Sequence, residues 1–174
     1  MMLFGLLELV DVIVMTLAVG FIFKDLFKQL DRPFLFSCLV TAPAIILHEL
    51  GHKFVALGFG LEATFNAAYS WLVIGILLKL LNTGFIFFVP AYVSISGLVT
   101  PLQSALTAFA GPALNLILFT TAYFLLKQKK LKTRTFIFLT VTKQINLFLF
   151  IFNMLPLPFF DGFKVYQGIW QLFF

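Results

Sequence analysis

Long apolar stretches separated by short polar ones run along this chain, and they predict membrane-spanning helices. A helix needs roughly 20 mostly apolar residues to cross a bilayer. Four stretches have that length, and we expect one crossing from each of residues 2–23, 35–60, 104–126 and 135–155. Pro33 marks a helix boundary after the charged connector that follows the first stretch. Glu8 and Asp11 lie three apart on one face of the first helix, where we expect them near the membrane surface, with a polar cavity as the alternative.

The region between residues 62 and 103 does not follow this pattern. WLVIGILLKLL, at 71–81, is short for a spanning helix, while GFIFFVPAYVSISG, at 84–97, is rich in β-forming residues around Pro90. Backbone that is not helical is tolerated at membrane depth only where protein buries it or where it lines a wet cavity. We therefore predict a re-entrant or β-hairpin-like insertion, with one more pair of ordinary helices as the alternative.

The composition supports the same class of protein. Hydrophobic residues make up 61% of the chain and charged residues only 11%, whereas about a quarter of the residues in a soluble domain are charged. So few charges cannot cover the surface of a protein in water. We predict an all-α polytopic membrane protein with about four to six transmembrane helices, integral to the cell membrane.

The distribution of charge indicates the partners and the domain organisation. The net charge is +5, and five of the twelve basic residues lie in KQKKLKTR at 127–134. A basic loop of this kind suits lipid headgroups, so the lipid bilayer is an expected partner and nucleic acid is not. Because no internal repeat divides the chain, we expect one domain over residues 1–174. Its parts are a first helix and connector at 1–34, a core with the polar motifs at 35–162, and a C-terminal tail at 163–174.

The only two histidines of the chain stand in the predicted second helix, in the sequence HELGH. The pattern H-E-x-x-H on a helix puts His48 and His52 one turn apart on nearly the same face, within reach of one Zn²⁺. Glu49 points about 100° away from His48, which suits a general base that holds the metal's water better than it suits a ligand. Because polar groups at this depth are costly in a bilayer, a metal site is favoured over a chance occurrence.

A catalytic zinc needs a third protein ligand and an open fourth position. The single cysteine, Cys38, precedes His48 by roughly 15 Å of helix and is out of range. Asp161 follows Pro156 and Pro158, which break the fourth helix and unwind the backbone just before this acid. We predict that Asp161 is the third ligand. The alternative is that Asp161 only begins a turn and caps a helix in the tail.

Taken together, these motifs resemble the site-2 protease family of intramembrane zinc metalloproteases, in its compact archaeal or minimal bacterial form. HELGH in a membrane helix is followed far downstream by N-x-x-P-x-P-x-x-D-G at 153–162. Between them, AGPALNL matches the G-P-x-x-N pattern of the family at Gly111, Pro112 and Asn115. The first and last motifs are specific as a pair, and either one alone is weak.

The resemblance implies roles for particular residues. One zinc ion per chain would be held by His48, His52 and Asp161, with Glu49 as the general base. Asn115 would orient the substrate or stabilise the oxyanion. The site would be supported by three further residues, Asn153, Gly111 and Pro112.

The function that the resemblance implies is that of an intramembrane zinc endopeptidase acting in regulated intramembrane proteolysis. Its substrate would be a transmembrane helix of a single-pass membrane protein, which must unwind locally before it is cut. A membrane metal-ion carrier and a catalytically inactive relative that binds helices are the alternatives. No oligomeric state is predicted.

Overall fold

The structure of the chain, a computed structural model, describes residues 4–84, 89–97 and 99–173. Residues 85–88 of the predicted insertion and residues 2–3 of the first predicted helix lie outside this range. The chain divides into two compact units, the first made of 1–46 with 64–94 and the second of 47–63 with 95–174. The prediction of a single domain stays a prediction.

Four long apolar helices in the described part of the chain confirm the predicted class of all-α polytopic membrane protein. Each is long enough and apolar enough to cross a bilayer, and their ends lie within a few residues of the predicted ones. They are α1 (Leu6–Phe23, continued by a 3₁₀ turn at Lys24–Phe27), α2 (Pro33–Gly58), α4 (Pro101–Leu125) and α5 (Thr133–Asn153). Large apolar side chains are exposed along them, including Ile13, Phe124 and Phe148, as expected of surfaces that contact lipid.

The predicted insertion contains a short helix and a small β-sheet. Helix α3 (Tyr69–Leu80) corresponds to the predicted short helix, and strand β2 (Ala91–Ser96) lies in the stretch rich in β-formers. The partner of β2 is β1 (Glu62–Ala67), a strand that the sequence analysis did not single out. The described part of this region therefore forms a strand pair with a helix between the strands, rather than a second pair of helices.

The register of the sheet follows from two contacts. The Ala68 N–H donates to the Pro90 carbonyl over 3.1 Å. The side-chain amide nitrogen of Asn66 donates to the Ser94 hydroxyl, also over 3.1 Å. Residue numbers therefore fall along β1 as they rise along β2, so the strands are antiparallel. Because hydrogen-bonded pairs recur at every second residue of such a ladder, the N–H groups of residues 65 and 67 point away from β2.

Two carboxylates of α1 satisfy those outward N–H groups. Glu8 Oε1 accepts from the Phe65 N–H over 2.6 Å, and Asp11 Oδ2 accepts from the Ala67 N–H over 3.2 Å. The Tyr69 hydroxyl also donates to Asp11. Glu8 is buried, at 7% exposure. The two acids that the sequence suggested were near the membrane surface therefore close the free edge of β1, an edge that would otherwise be open to pairing.

The core of the first unit packs around this edge. Phe65 and Ala67 point to the same face of β1 because side chains alternate along a strand, and both are buried. Apolar residues from neighbouring elements complete the cluster, namely Met15, Val19, Leu72 and Ala91.

The second unit is built around α4, which packs against α5 and α6 (Asp161–Phe173). The predicted tail is thus part of an amphipathic helix whose buried residues, Gly162, Val165 and Gly168, recur every three positions. A Cβ at Gly168 would lie only 2.6 Å from the Pro101 carbonyl oxygen. This glycine therefore lets α6 approach the first turn of α4 closely.

Replacement of Glu8 by alanine should destabilise the fold, because it leaves the N–H of the fully buried Phe65 without its acceptor. We expect a loss of about 1–3 kcal/mol in the free energy of unfolding, measured by chemical denaturation in detergent micelles. Asp31→Ala removes an exposed carboxylate and should change that free energy by less than about 0.5 kcal/mol. Equal effects of the two substitutions would contradict the structural role of Glu8.

Candidate metal centre

Helix α2 carries the two histidines on one face, as the spacing predicts. His48 and His52 are buried, at 6% and 8% exposure, and their Nε2 atoms are 3.1 Å apart. The turn between them contains Gly51, where a Cβ would lie 2.7 Å from the carbonyl oxygen of Ala110 in α4. The absence of a side chain at Gly51 brings the backbones of α2 and α4 into contact.

Asp161 reaches the histidines because the chain turns sharply after α5. Helix α5 ends at Asn153, and α6 begins at Asp161 itself, so the prolines at 156 and 158 lie in the connecting turn. A Cβ at Gly162 would lie 2.5 Å from the Met154 carbonyl group. The Tyr166 hydroxyl donates to the same Met154 oxygen over 3.1 Å. These contacts hold the first turn of α6 against the end of α5.

The three predicted ligands converge on one point. Oδ2 of Asp161 lies 3.1 Å from Nε2 of His48 and 3.2 Å from Nε2 of His52. Ligands bound at about 2.0–2.1 Å around a tetrahedral zinc ion are roughly 3.3 Å apart, so the observed triangle has nearly the dimensions of one face of such a tetrahedron. The alternative, in which Asp161 does no more than begin a turn, does not account for these contacts.

Gly111 of α4 provides the space beside the two imidazoles. A Cβ at this position would lie 2.7 Å from Nε2 of His48 and closer still to Nε2 of His52. Any larger residue would therefore occupy the place where the two nitrogens meet. The donor set and the space at Gly111 together fit a metal ion held by His48, His52 and Asp161.

The carboxylate of Asp161 is suited to this role. Burial acts to raise the pKa of Asp161, but without a metal ion the hydrogen bonds that protonated His48 and His52 donate to it act in the opposite direction and prevail. The pKa therefore lies below its ordinary value. An anionic oxygen between two imidazole nitrogens is the state of the carboxylate that binds a divalent cation.

Glu49 is buried beside the histidines, at 9% exposure. Within the ranges that the structure describes, its carboxylate makes no hydrogen bond, which leaves the oxygens available to a water molecule. A buried carboxylate next to a candidate metal site is the arrangement expected of a general base.

Comparison with known proteins gives three relatives. The protein named "Putative zinc metalloprotease MJ0611" of Methanocaldococcus jannaschii is 36% identical over 95% of this chain and 87% of its own length. "Putative zinc metalloprotease YwhC" of Bacillus subtilis is 31% identical over 79% of this chain and 69% of its own length. The chain belongs to this zinc metalloprotease family.

A third relative, "Putative zinc metalloprotease sll0528" of Synechocystis, is 30% identical over 79% of this chain and 32% of its own length. No family model matches the chain, and no solved structure matches it significantly.

For a zinc metalloprotease, two histidines and one carboxylate are the expected metal ligands, because three protein ligands leave the fourth position open for water or substrate.

The remaining polar residues of this candidate metal site differ in part from the predicted set. Asn115 is fully buried, and its Oδ1 lies 2.6 Å from Nδ1 of His48. Its Nδ2 donates to Oδ1 of Asn146 over 2.9 Å. Asn153, predicted to support the segment that carries Asp161, is the last residue of α5, where the turn toward Asp161 begins. The supporting role predicted for Asn153 stays a prediction.

Two contributors to the site were missed by the sequence analysis. Asn146, at 1% exposure, is an uncharged polar residue in the middle of an apolar helix, and such residues in membrane helices commonly face the bundle interior and bond to one another. The other is the Thr107 carbonyl, which accepts from Nδ1 of His52 over 2.7 Å. No side-chain signal marks a main-chain acceptor, and the carbonyl that Pro112 leaves without a helical N–H is that of Ala108, not Thr107.

Replacement of Gly111 by alanine should abolish metal binding, because the new Cβ would lie within 2.7 Å of His48 Nε2 and force the imidazoles apart. We expect the zinc content of the purified variant, measured by atomic emission, to fall to that of a chelator-treated sample. Gly58→Ala is the matched control, since a Cβ at Gly58 in α2 meets nothing within 4 Å. Full zinc content in the Gly111 variant would contradict the role of this glycine.

Proposed function

We propose that this chain is an intramembrane zinc endopeptidase of the site-2 protease type, which cuts a transmembrane helix of a single-pass membrane protein. The observation that carries the proposal is the triangle of ligand atoms formed by His48, His52 and Asp161. It is supported by the family of zinc metalloproteases to which the chain belongs. It is supported further by the position of His48 and His52 within a helix long and apolar enough to span the bilayer.

The proposed cofactor is one Zn²⁺ per chain, held by the two Nε2 atoms and by the carboxylate of Asp161. When bound, zinc supplies Lewis acidity, which polarises a peptide carbonyl and lowers the pKa of a water toward about 7. His48 and His52 contribute neutral nitrogens, and Asp161 contributes one negative charge. Three protein ligands would leave the fourth coordination position to water or substrate.

Glu49 is the proposed general base. Its buried carboxylate holds a water molecule and takes a proton from it as the water attacks the peptide carbonyl. Glu49 then returns that proton to the nitrogen of the leaving amine. The low polarity of the surroundings strengthens both steps, because charges interact more strongly where water is scarce.

The substrate must present an unwound backbone, since the carbonyl groups of an intact helix are already hydrogen-bonded. Strand β2 offers a means of holding such a segment. In the described part of the chain β2 pairs with β1 alone, and the register that joins Ala68 to Pro90 directs the Val93 N–H away from β1. We propose that the unwound substrate segment adds to this edge as a third strand, recovering the hydrogen bonds it loses.

The proposed location is the cell membrane. The proposed partners are lipid and the single-pass substrate, and nucleic acid is not among them.

Two other functions use the same residues differently. A metal-ion carrier would need the three ligands but not the general base, and an inactive relative would bind helices without cutting them.

Substitution of Glu49 by glutamine should separate these functions. We expect the variant to keep its zinc and to lose about 100- to 10,000-fold in the rate of cutting a tagged transmembrane substrate in detergent. Glu62→Gln, which removes an exposed acid at the start of β1, should keep both properties. A carrier would retain zinc transport in the Glu49 variant, and an inactive relative would show no cutting even as wild type.

Replacement of Val93 by proline should impair cutting of a full transmembrane substrate while zinc content is unchanged, because proline removes the outward N–H but is tolerated on an edge strand. Val93→Ala keeps that N–H and should cut at close to the wild-type rate. Cleavage would be measured by gel mobility of the tagged substrate. Equal rates of cleavage by the two variants would contradict the proposal that the substrate pairs with the edge of β2.

A further inference from the structure

We propose that Asn146 and Asn115 form a hydrogen-bond relay that fixes the tautomer and the ring orientation of His48, so that its Nε2 faces the metal position. The relay begins at the main-chain carbonyl of Thr142 in α5 and ends at the imidazole in α2. The inference rests on the metal site of the proposed function. It assigns Asn115 and Asn146 as positioning residues rather than as groups that touch the substrate.

The direction of every hydrogen bond in the relay is set by its first acceptor. A carbonyl oxygen only accepts, so the contact of 2.8 Å between Thr142 and Asn146 requires the Asn146 amide nitrogen as donor. The carboxamide oxygen of Asn146 then faces Asn115, at 2.9 Å from Nδ2. Asn115 must donate there.

The same logic carries the direction on to the imidazole. With its nitrogen directed to Asn146, the Asn115 carboxamide presents its oxygen to Nδ1 of His48 over 2.6 Å. An oxygen acceptor at this distance requires a proton on Nδ1. The lone pair of the neutral ring is therefore on Nε2, the atom that faces Asp161.

Burial makes the reverse direction costly. Asn115 and Asn146 have 0% and 1% exposure, so water is not available to replace a lost bond. Turning the Asn115 amide over would set its oxygen against that of Asn146. Turning both amides over would set the Asn146 oxygen against the Thr142 carbonyl oxygen. Two acceptor oxygens that face each other in a buried site repel, and the observed arrangement avoids this cost in free energy.

His52 reaches the same tautomer by a shorter route. Its Nδ1 donates directly to the Thr107 carbonyl over 2.7 Å, which again puts the lone pair on Nε2. A main-chain carbonyl therefore orients each histidine. The Thr142 carbonyl orients His48 through the side-chain amides of Asn146 and Asn115, and the Thr107 carbonyl orients His52 directly. Metal-binding histidines commonly donate their second nitrogen in this way, and loss of the acceptor typically costs about 10- to 100-fold in metal affinity.

The test measures zinc affinity in the full-length protein, by competition with a chelator in detergent. Asn115→Leu, which removes the acceptor of His48, should weaken zinc binding by about 10- to 100-fold. Asn146→Leu should weaken it in the same direction but less, because His48 then keeps Asn115 as its acceptor, although the orientation of the Asn115 amide is no longer fixed. Thr140→Val is the control, because the buried Thr140 hydroxyl has no hydrogen-bond partner within the described part of the chain. If both leucine variants bind zinc as tightly as this control, the relay is wrong.

A second measurement reports the rings themselves. The chain has only two histidines, so labelling histidine with the heavy nitrogen isotope gives NMR signals from these two imidazoles alone. In the zinc-loaded protein we expect two Nδ1–H signals, one of which shifts or is lost to exchange in the leucine variants. The signal of His52 should stay unchanged, which a general structural disturbance would not produce.

Asn115→Asp separates the relay from a role in oxyanion stabilisation and serves if the leucine variants do not fold. Aspartate keeps an oxygen acceptor for His48 but has no N–H to offer an oxyanion or Oδ1 of Asn146, so the fold should be less stable while Nδ1 of His48 keeps its acceptor. We expect zinc affinity close to that of the wild type and a downfield shift of the His48 Nδ1–H signal. Zinc affinity as weak as in Asn115→Leu, or an unchanged signal, would overturn the relay. Failure of the wild-type protein to bind zinc would instead refute the proposed function.

Discussion

Most polar atoms inside an apolar bundle find partners within the protein, because an unpaired nitrogen or oxygen there costs free energy, up to several kcal/mol. This constraint explains the arrangement around His48 and His52. Each imidazole uses one nitrogen to bond an oxygen of another helix and turns the other toward Asp161. A site that binds a cation in these surroundings therefore needs a second layer of acceptors as much as it needs ligands.

The same constraint explains where the small residues stand. For the second layer to be within hydrogen-bond distance, the helix backbones must approach more closely than ordinary side chains allow. Gly51 provides that approach between α2 and α4, and Gly111 leaves the space at the imidazole nitrogens. Gly162 and Gly168 do the same for α6, which carries Asp161. Packing and chemistry in this unit are thus determined by the same glycines.

Much of this was predictable from the sequence, and the failures have identifiable causes. Apolar length predicted the four spanning helices, and the spacing of His48 and His52 predicted one shared face. The strand β1 was missed because its stability comes from β2 and from the carboxylates of α1, which are distant in sequence. The amide partner of Asn115 was missed because Asn146 stands in no motif. Side-chain pairs across helices depend on rotation and register, which a single sequence does not specify.

The anchors at Thr107 and Thr142 are main-chain oxygens, and every amino acid carries one. A substitution at either position therefore keeps the acceptor oxygen, provided that the helix backbone stays in place. In a membrane enzyme with this arrangement, the orientation of the histidines depends on the position of helix backbones, which the identity of the residues at these sites does not reveal.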